Sequence, residues 1–166
     1  GNFAMSKILV IFCIGRIRHA ERYDARLPTT NTRKLINTLA KKNELGQVQV
    51  VYYSAGNDKQ CEVQNAYHFL VDNFCLGDKI FCFGEGRGTD HVRALSKLIK
   101  AVGILNKREI SLIPSAFTYS QRPSNKNKFS SKDPLIDTPH NLQVEIIDVP
   151  ITEGTKPDQN PSLNKV

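Results

Sequence analysis

Ten residues constrain the fold more than any others. Lys79-Ile80-Phe81-Cys82-Phe83-Gly84-Glu85-Gly86-Arg87-Gly88 read as an apolar strand, a glycine-rich turn and the start of a helix near Thr89. Three glycines at alternate positions let the backbone turn sharply and let a helix start lie against a strand, where a Cβ would collide. Such a turn belongs at the carboxyl end of a buried strand. The rest of the chain has to supply the sheet and the covering helices.

It does so in regular alternation. Lys7 to Cys13 is a nearly continuous apolar run, as expected of a strand buried on both faces. Thr30 or Asn31 can cap a helix with Leu35, Ile36 and Leu39 turned inward. Val48 to Tyr53 is a second strand. A helix from about Gln60 to Phe74 carries Val63, Ala66, Tyr67, Leu70 and Phe74 on one stripe. Lys79 to Phe83 is the third strand. The next helix, about Thr89 to Val102, turns Val92, Leu95, Leu98, Ile99 and Val102 inward, with Gly103 as its C-cap. Leu142 to Val149 is a fourth strand, whereas Ile110 to Ile113 before Pro114 is too short to assign.

This spacing predicts an α/β three-layer sandwich around a small, mainly parallel sheet in the order second, first, third, fourth. One domain spans residues 5–150, with a long loop over 119–141 rich in Ser, Asn, Lys and Pro. Gly1 to Ala4, before Met5, resemble a tag remnant, and residues 151–166 read as a flexible tail.

The chain has 166 residues and a net charge of +7, with basic residues concentrated over 16–34 and 122–132. No ladder of aromatic residues accompanies them, so no nucleic-acid partner is expected. The apolar run at Ile8 to Ile14 is too short to span a membrane. Cys13, Cys61, Cys75 and Cys82 form no C-x-x-C pair, and neither they nor His19 and His68 show metal-ligand spacing. No metal is expected, and the thiols read as reduced, in a cytoplasm-like compartment. The glycine turn lacks the G-x-G-x-x-G spacing of a dinucleotide site and does not follow the first strand, so no cofactor is implied.

The strand–turn–helix also has the layout of the G-x-S-x-G nucleophile elbow of α/β-hydrolases, with Gly86 in the serine position. The likeness extends along the chain. Cys13-Ile14-Gly15-Arg16 is similar to a Cys-Asp-Gly-Thr strand end, and Thr30-Asn31-Thr32 to a Thr-Asn-Val helix start. Val51-Tyr52-Tyr53-Ser54-Ala55-Gly56 matches Val-Tyr-Tyr-Asp-x-Gly. Ala66-Tyr67-His68-Phe69-Leu70 resembles Ala-Tyr-x-Phe-Leu, and Val92-Arg93-Ala94-Leu95 follows the elbow as expected. In this order the segments resemble an uncharacterised α/β-hydrolase-like domain family that includes type VI secretion phospholipase effectors. The resemblance covers about residues 7–105 and more weakly 142–154. It implies an α/β-hydrolase-like, Rossmann-like core and delivery into another cell by a specialised secretion system.

The departures fall on the chemistry. The elbow of that family reads Gly-Phe-Ser-Arg-Gly, and Gly86 has no oxygen. The acid of its Trp-Asp-Thr segment falls on Ile151, the aspartate of Cys-Asp-Gly-Thr on Ile14, and His140 precedes the last strand instead of following it. A triad needs nucleophile, base and acid together. The resemblance therefore implies a truncated, degenerate, catalytically silent member that binds a protein or an anionic ligand. One alternative is an active hydrolase with a site rearranged around Glu85, Asp90, His91 and His140. Another is a regulator of an active relative.

Gly84, Gly86, Arg87 and Gly88, at a helix N-terminus, could hold an anion together with Arg16 and Arg18 at the end of the first strand. Glu85 would repel an anion unless a cation such as Arg87 offsets it. A histidine placed like His91 is commonly a partly exposed surface residue. Cys82 lies inside its strand, out of reach as a substitute nucleophile. The fourth strand would end the sheet, with an edge that a second copy could pair in an isologous dimer.

Overall fold

The computed structural model describes residues 5–15, 30–123 and 142–151. Strand β1, Ile8–Ile14, lies inside the sheet and is buried along its whole length. It pairs in parallel with β2, Gln49–Ser54, on one side and β3, Lys79–Glu85, on the other, with Ile8 level with both Gln49 and Lys79. β4, Val144–Val149, runs parallel to β3. The order β2-β1-β3-β4 is the predicted one.

Alternation along β1 splits the core in two. Ile8, Val10 and Phe12 face α1, Asn31–Thr38, whose Ile36 and Leu39 pack on them with Tyr53, Phe81 and Phe83. Phe12 and Phe83 stack at 4.8 Å between ring centroids, about 1 kcal/mol beyond simple burial. Leu9, Ile11 and Cys13 face the larger core. That core is built by α2 (Lys59–Asn73), α3 (Gly88–Val102) and α4 (Ile113–Ser120). Tyr67 of α2 is fully buried there. Its hydroxyl donates to the Gly103 carbonyl at 2.7 Å and accepts from the Leu105 amide at 3.0 Å, pinning the chain as it leaves α3.

Three expectations need correction. Leu35 is exposed, and Thr32 takes the buried place on α1, so the inward face is Thr32, Ile36 and Leu39, an i, i+4, i+7 stripe. A 3-10 turn at Lys107–Leu112 leads into α4, where the apolar run Ile110 to Ile113 had been too short to assign. Proline is well placed in a first helical turn, where its missing N–H has no intrahelical partner, and Ile113, Ala116 and Phe117 form the buried stripe. Tyr119 and Ser120, assigned to the long loop, complete that helix. Residues 124–141 of the loop, 152–166 of the tail and 1–4 lie outside the described residues.

Candidate functional site

The turn from β3 into α3 keeps the backbone of a nucleophile elbow. Gly86 has φ +58°, the left-handed region. The Gly86 carbonyl accepts from the Thr89 amide at 3.1 Å, and the Arg87 carbonyl accepts from Asp90 at 3.1 Å, which opens α3. The three glycines differ in purpose. A Cβ on Gly84 would lie 2.6 Å from Thr89 Cα, and one on Gly88 would fall on the Cys13 carbonyl. Those two positions let the helix start cross β3 and β1 at close range. A Cβ on Gly86 would meet nothing within 4 Å, so position 86 is an open crest.

The crest stands at the topological switch point. β1 leads to α1 on one face of the sheet, and β3 leads to α3 on the other, so the chain leaves the carboxyl ends of these two neighbouring strands toward opposite faces. The Gly15 amide donates to the Glu85 carbonyl at 3.2 Å, and a Cβ on Gly15 would lie 2.7 Å from Arg87 Cβ. Arg87 therefore seats directly against the end of β1. Its guanidinium reaches Asn57 Oδ1, 3.5 Å away on the turn after β2. The α3 N-terminus and Arg87 bring positive charge to the crest, with exposed Asp90 in the same first turn.

Among the described residues the structure separates Glu85 from His91. Glu85 is buried, and its carboxylate accepts from Thr32 Oγ1 at 2.7 Å and from the Thr32 amide at 3.4 Å, so it serves the start of α1. His91 lies on the opposite face, where α3 meets α2, and is only 3% exposed, against the expected surface position. Its Nδ1 has no hydrogen-bond partner among the described residues. Burial holds its pKa below the ordinary value, while Asp90 and Asp58 pull upward and Lys59 downward. Asp90 is exposed. Cys82 is fully buried, and burial pushes its thiol up to about 12. Arg16, Arg18 and His140 lie outside the described residues. Among the described residues no group of three or more His, Cys, Asp or Glu is placed to hold a metal ion.

Glu62 was missed from sequence. It stands in the first turn of α2, which Asp58 caps by accepting from the Cys61 amide at 2.9 Å. A Cβ on Gly56 would fall on the Glu62 carboxylate, so this acid leans over the end of β2. Burial, and then the charge of Asp58, raise its pKa. Burial and then the Glu62 charge raise those of Tyr52 and of Cys13, the latter to about 12. The signal was present as an acid four residues after a capping aspartate, a pattern indistinguishable from an ordinary helix start.

The family model described as "T6SS, Phospholipase effector Tle1-like, catalytic domain" matches residues 57–145, more than half of the chain. The chain belongs to this family. The matched Tle1-like segment runs from the turn before α2, through the elbow, into β4, and contains the glycine triplet. No curated protein and no solved structure matches. The crest position within the matched segment is Gly86. Ile151, just beyond β4 and beyond the matched segment, is 52% exposed.

Proposed function

We propose that this chain is a catalytically silent member of the Tle1-like phospholipase effector family, acting by binding a protein or anionic ligand at the carboxyl edge of its sheet. The observation that carries the reading is Gly86: the elbow backbone is retained at φ +58°, and the open crest bears no side chain. What is left there is a helix N-terminus and a cation, which suit a negative group. Glu85 does not oppose this, since its carboxylate is turned to α1. The family's description as type VI secretion effectors supports delivery into a target cell. Four free cysteines support work in a reducing compartment.

The test is turnover of short acyl esters and phospholipids by the wild-type protein and by Gly86→Ser. No turnover is expected from either. A serine at 86 has room, at about 1 kcal/mol of left-handed strain, yet the described residues place no general base at the crest. Gly86→Ser should fold and remain unlabelled by a fluorophosphonate probe. Wild-type hydrolysis abolished by His91→Ala would instead support the second reading, an active hydrolase with a rearranged site.

A further inference from the structure

The end of the sheet away from the elbow carries two hydrogen-bonded turns, each with a leucine at its tip. Before β2, Lys42 and Val48 form an antiparallel bridge, and the Gln49 amide donates to the Lys41 carbonyl at 2.9 Å. Within this hairpin Asn43 Oδ1 accepts from the Leu45 amide at 3.0 Å and from the Gln47 amide at 2.9 Å, and Gly46 closes the turn at φ +79°. Leu45, at the tip, is 77% exposed. Before β3, the Asp78 amide donates to the Cys75 carbonyl at 3.0 Å, Asp78 Oδ2 accepts from the Cys75 amide at 2.8 Å, and Gly77 sits at φ +93°. Leu76, at that tip, is 61% exposed.

Both turns are stapled to the residues that lead into β1. Gln47 Nε2 donates to Ser6 Oγ at 2.8 Å. The Lys7 amide and ammonium donate to the two carboxylate oxygens of Asp78 at 2.7 and 2.6 Å. Leu45 and Leu76 are thereby held on either side of the entry to β1, and Met5, two residues before Lys7, is also 61% exposed. Large apolar side chains on rigid tips at one end of the sheet gain nothing from folding and offer two anchor points to an external partner.

The charges around them select its chemistry. Lys41 and Lys42 are exposed in the stem of the first turn, and exposed Lys79 follows the second. Asp78 is buried and engaged with Lys7, leaving Glu44 as the exposed acid within these turns. Apolar tips inside a basic collar match the acyl boundary and headgroups of an anionic bilayer. We propose that this edge docks the domain on an anionic lipid surface, with Leu45 and Leu76 entering the interface and Lys41, Lys42 and Lys79 against the headgroups. Docking at this edge leaves the elbow facing away from the bilayer, so the proposal stands or falls independently of whether the elbow is silent.

The chain has no tryptophan, which makes a clean test available. Leu45→Trp and Leu76→Trp variants should each shift their emission to the blue on phosphatidylglycerol-containing vesicles, and not on pure phosphatidylcholine. Gln60→Trp, at the start of α2 near the opposite edge, should not shift. The double variant Lys41→Glu, Lys42→Glu should weaken vesicle binding by roughly tenfold or more, from about fivefold per lysine removed, and added salt should do the same to the wild type. Circular dichroism and melting of each variant check the fold, which these exposed positions should not alter. The proposal is overturned by unshifted emission at both leucine positions, by equal shifts at Gln60→Trp, or by equal binding to neutral vesicles. Self-association that depends on Leu45 and Leu76, without vesicle binding, would assign the edge to a second copy instead.

Discussion

His91 shows what burial does to a single titratable side chain. Its imidazole is enclosed between α3 and the start of α2, with Asp90, Asp58 and Lys59 as the charges that act on it. Burial dominates, so the folded pKa lies below the ordinary 6.5. The neutral form is the one the fold accepts. Its contribution to stability is fully present above pH 6.5 and is lost as pH falls from there through the folded pKa. His91→Leu removes both the protonation penalty and an unpartnered polar atom. It should flatten the loss of stability below that pH while costing little at neutral pH, as chemical denaturation across pH would show. An unchanged acid limb would assign that limb to the carboxylates.

At the scale of elements, the helices are held by their ends as much as by their stripes. Thr30 accepts from the Arg33 amide at 3.1 Å to cap α1, and Glu85 reaches the same first turn from β3. Tyr67 ties α2 to the segment after α3 through two backbone groups. Tyr67→Phe leaves the Gly103 carbonyl and the Leu105 amide without that partner in a closed environment, with an expected cost of about 1–3 kcal/mol. Equilibrium urea unfolding measures it through the midpoint at unchanged slope. The Tyr67 stripe was legible in the sequence, because helical periodicity marks which residues face inward. The target of its hydroxyl was not, since it depends on where the chain passes 36 residues later. α4 escaped for the opposite reason: its local stripe is short and carries a proline.

For the whole molecule, β4 is the terminal strand of the described sheet, with Ile146 36% exposed. The Ile80 amide donates to the Gln143 carbonyl at 3.2 Å, and with the parallel register this turns the N–H groups of Val144, Ile146 and Asp148 away from β3. We propose that a second copy pairs there. An antiparallel two-fold centred on Ile146 sets Glu145 opposite Ile147 and Val144 opposite Asp148, so no like charges face each other. Ile146→Pro removes one outward donor and leaves the ladder to β3 intact. Sedimentation velocity should show a dimer for the wild type and a monomer for Ile146→Pro. A wild type that stays monomeric across the concentration range removes the dimer.

The amino-acid sequence by itself determined the alternation of strands and helices, the sheet order and the glycine turn. Each is written in short-range patterns of apolar and glycine residues. Only the tertiary structure decided what the polar residues near the turn do. Glu85 and His91 are six positions apart, yet one joins α1 and the other meets α2 on the opposite face. Glu62, from a different helix, leans over Gly56 at the end of β2. Periodicity assigns a residue to a face. The groups it meets there depend on which distant segment crosses that face, and that is settled by packing the whole chain.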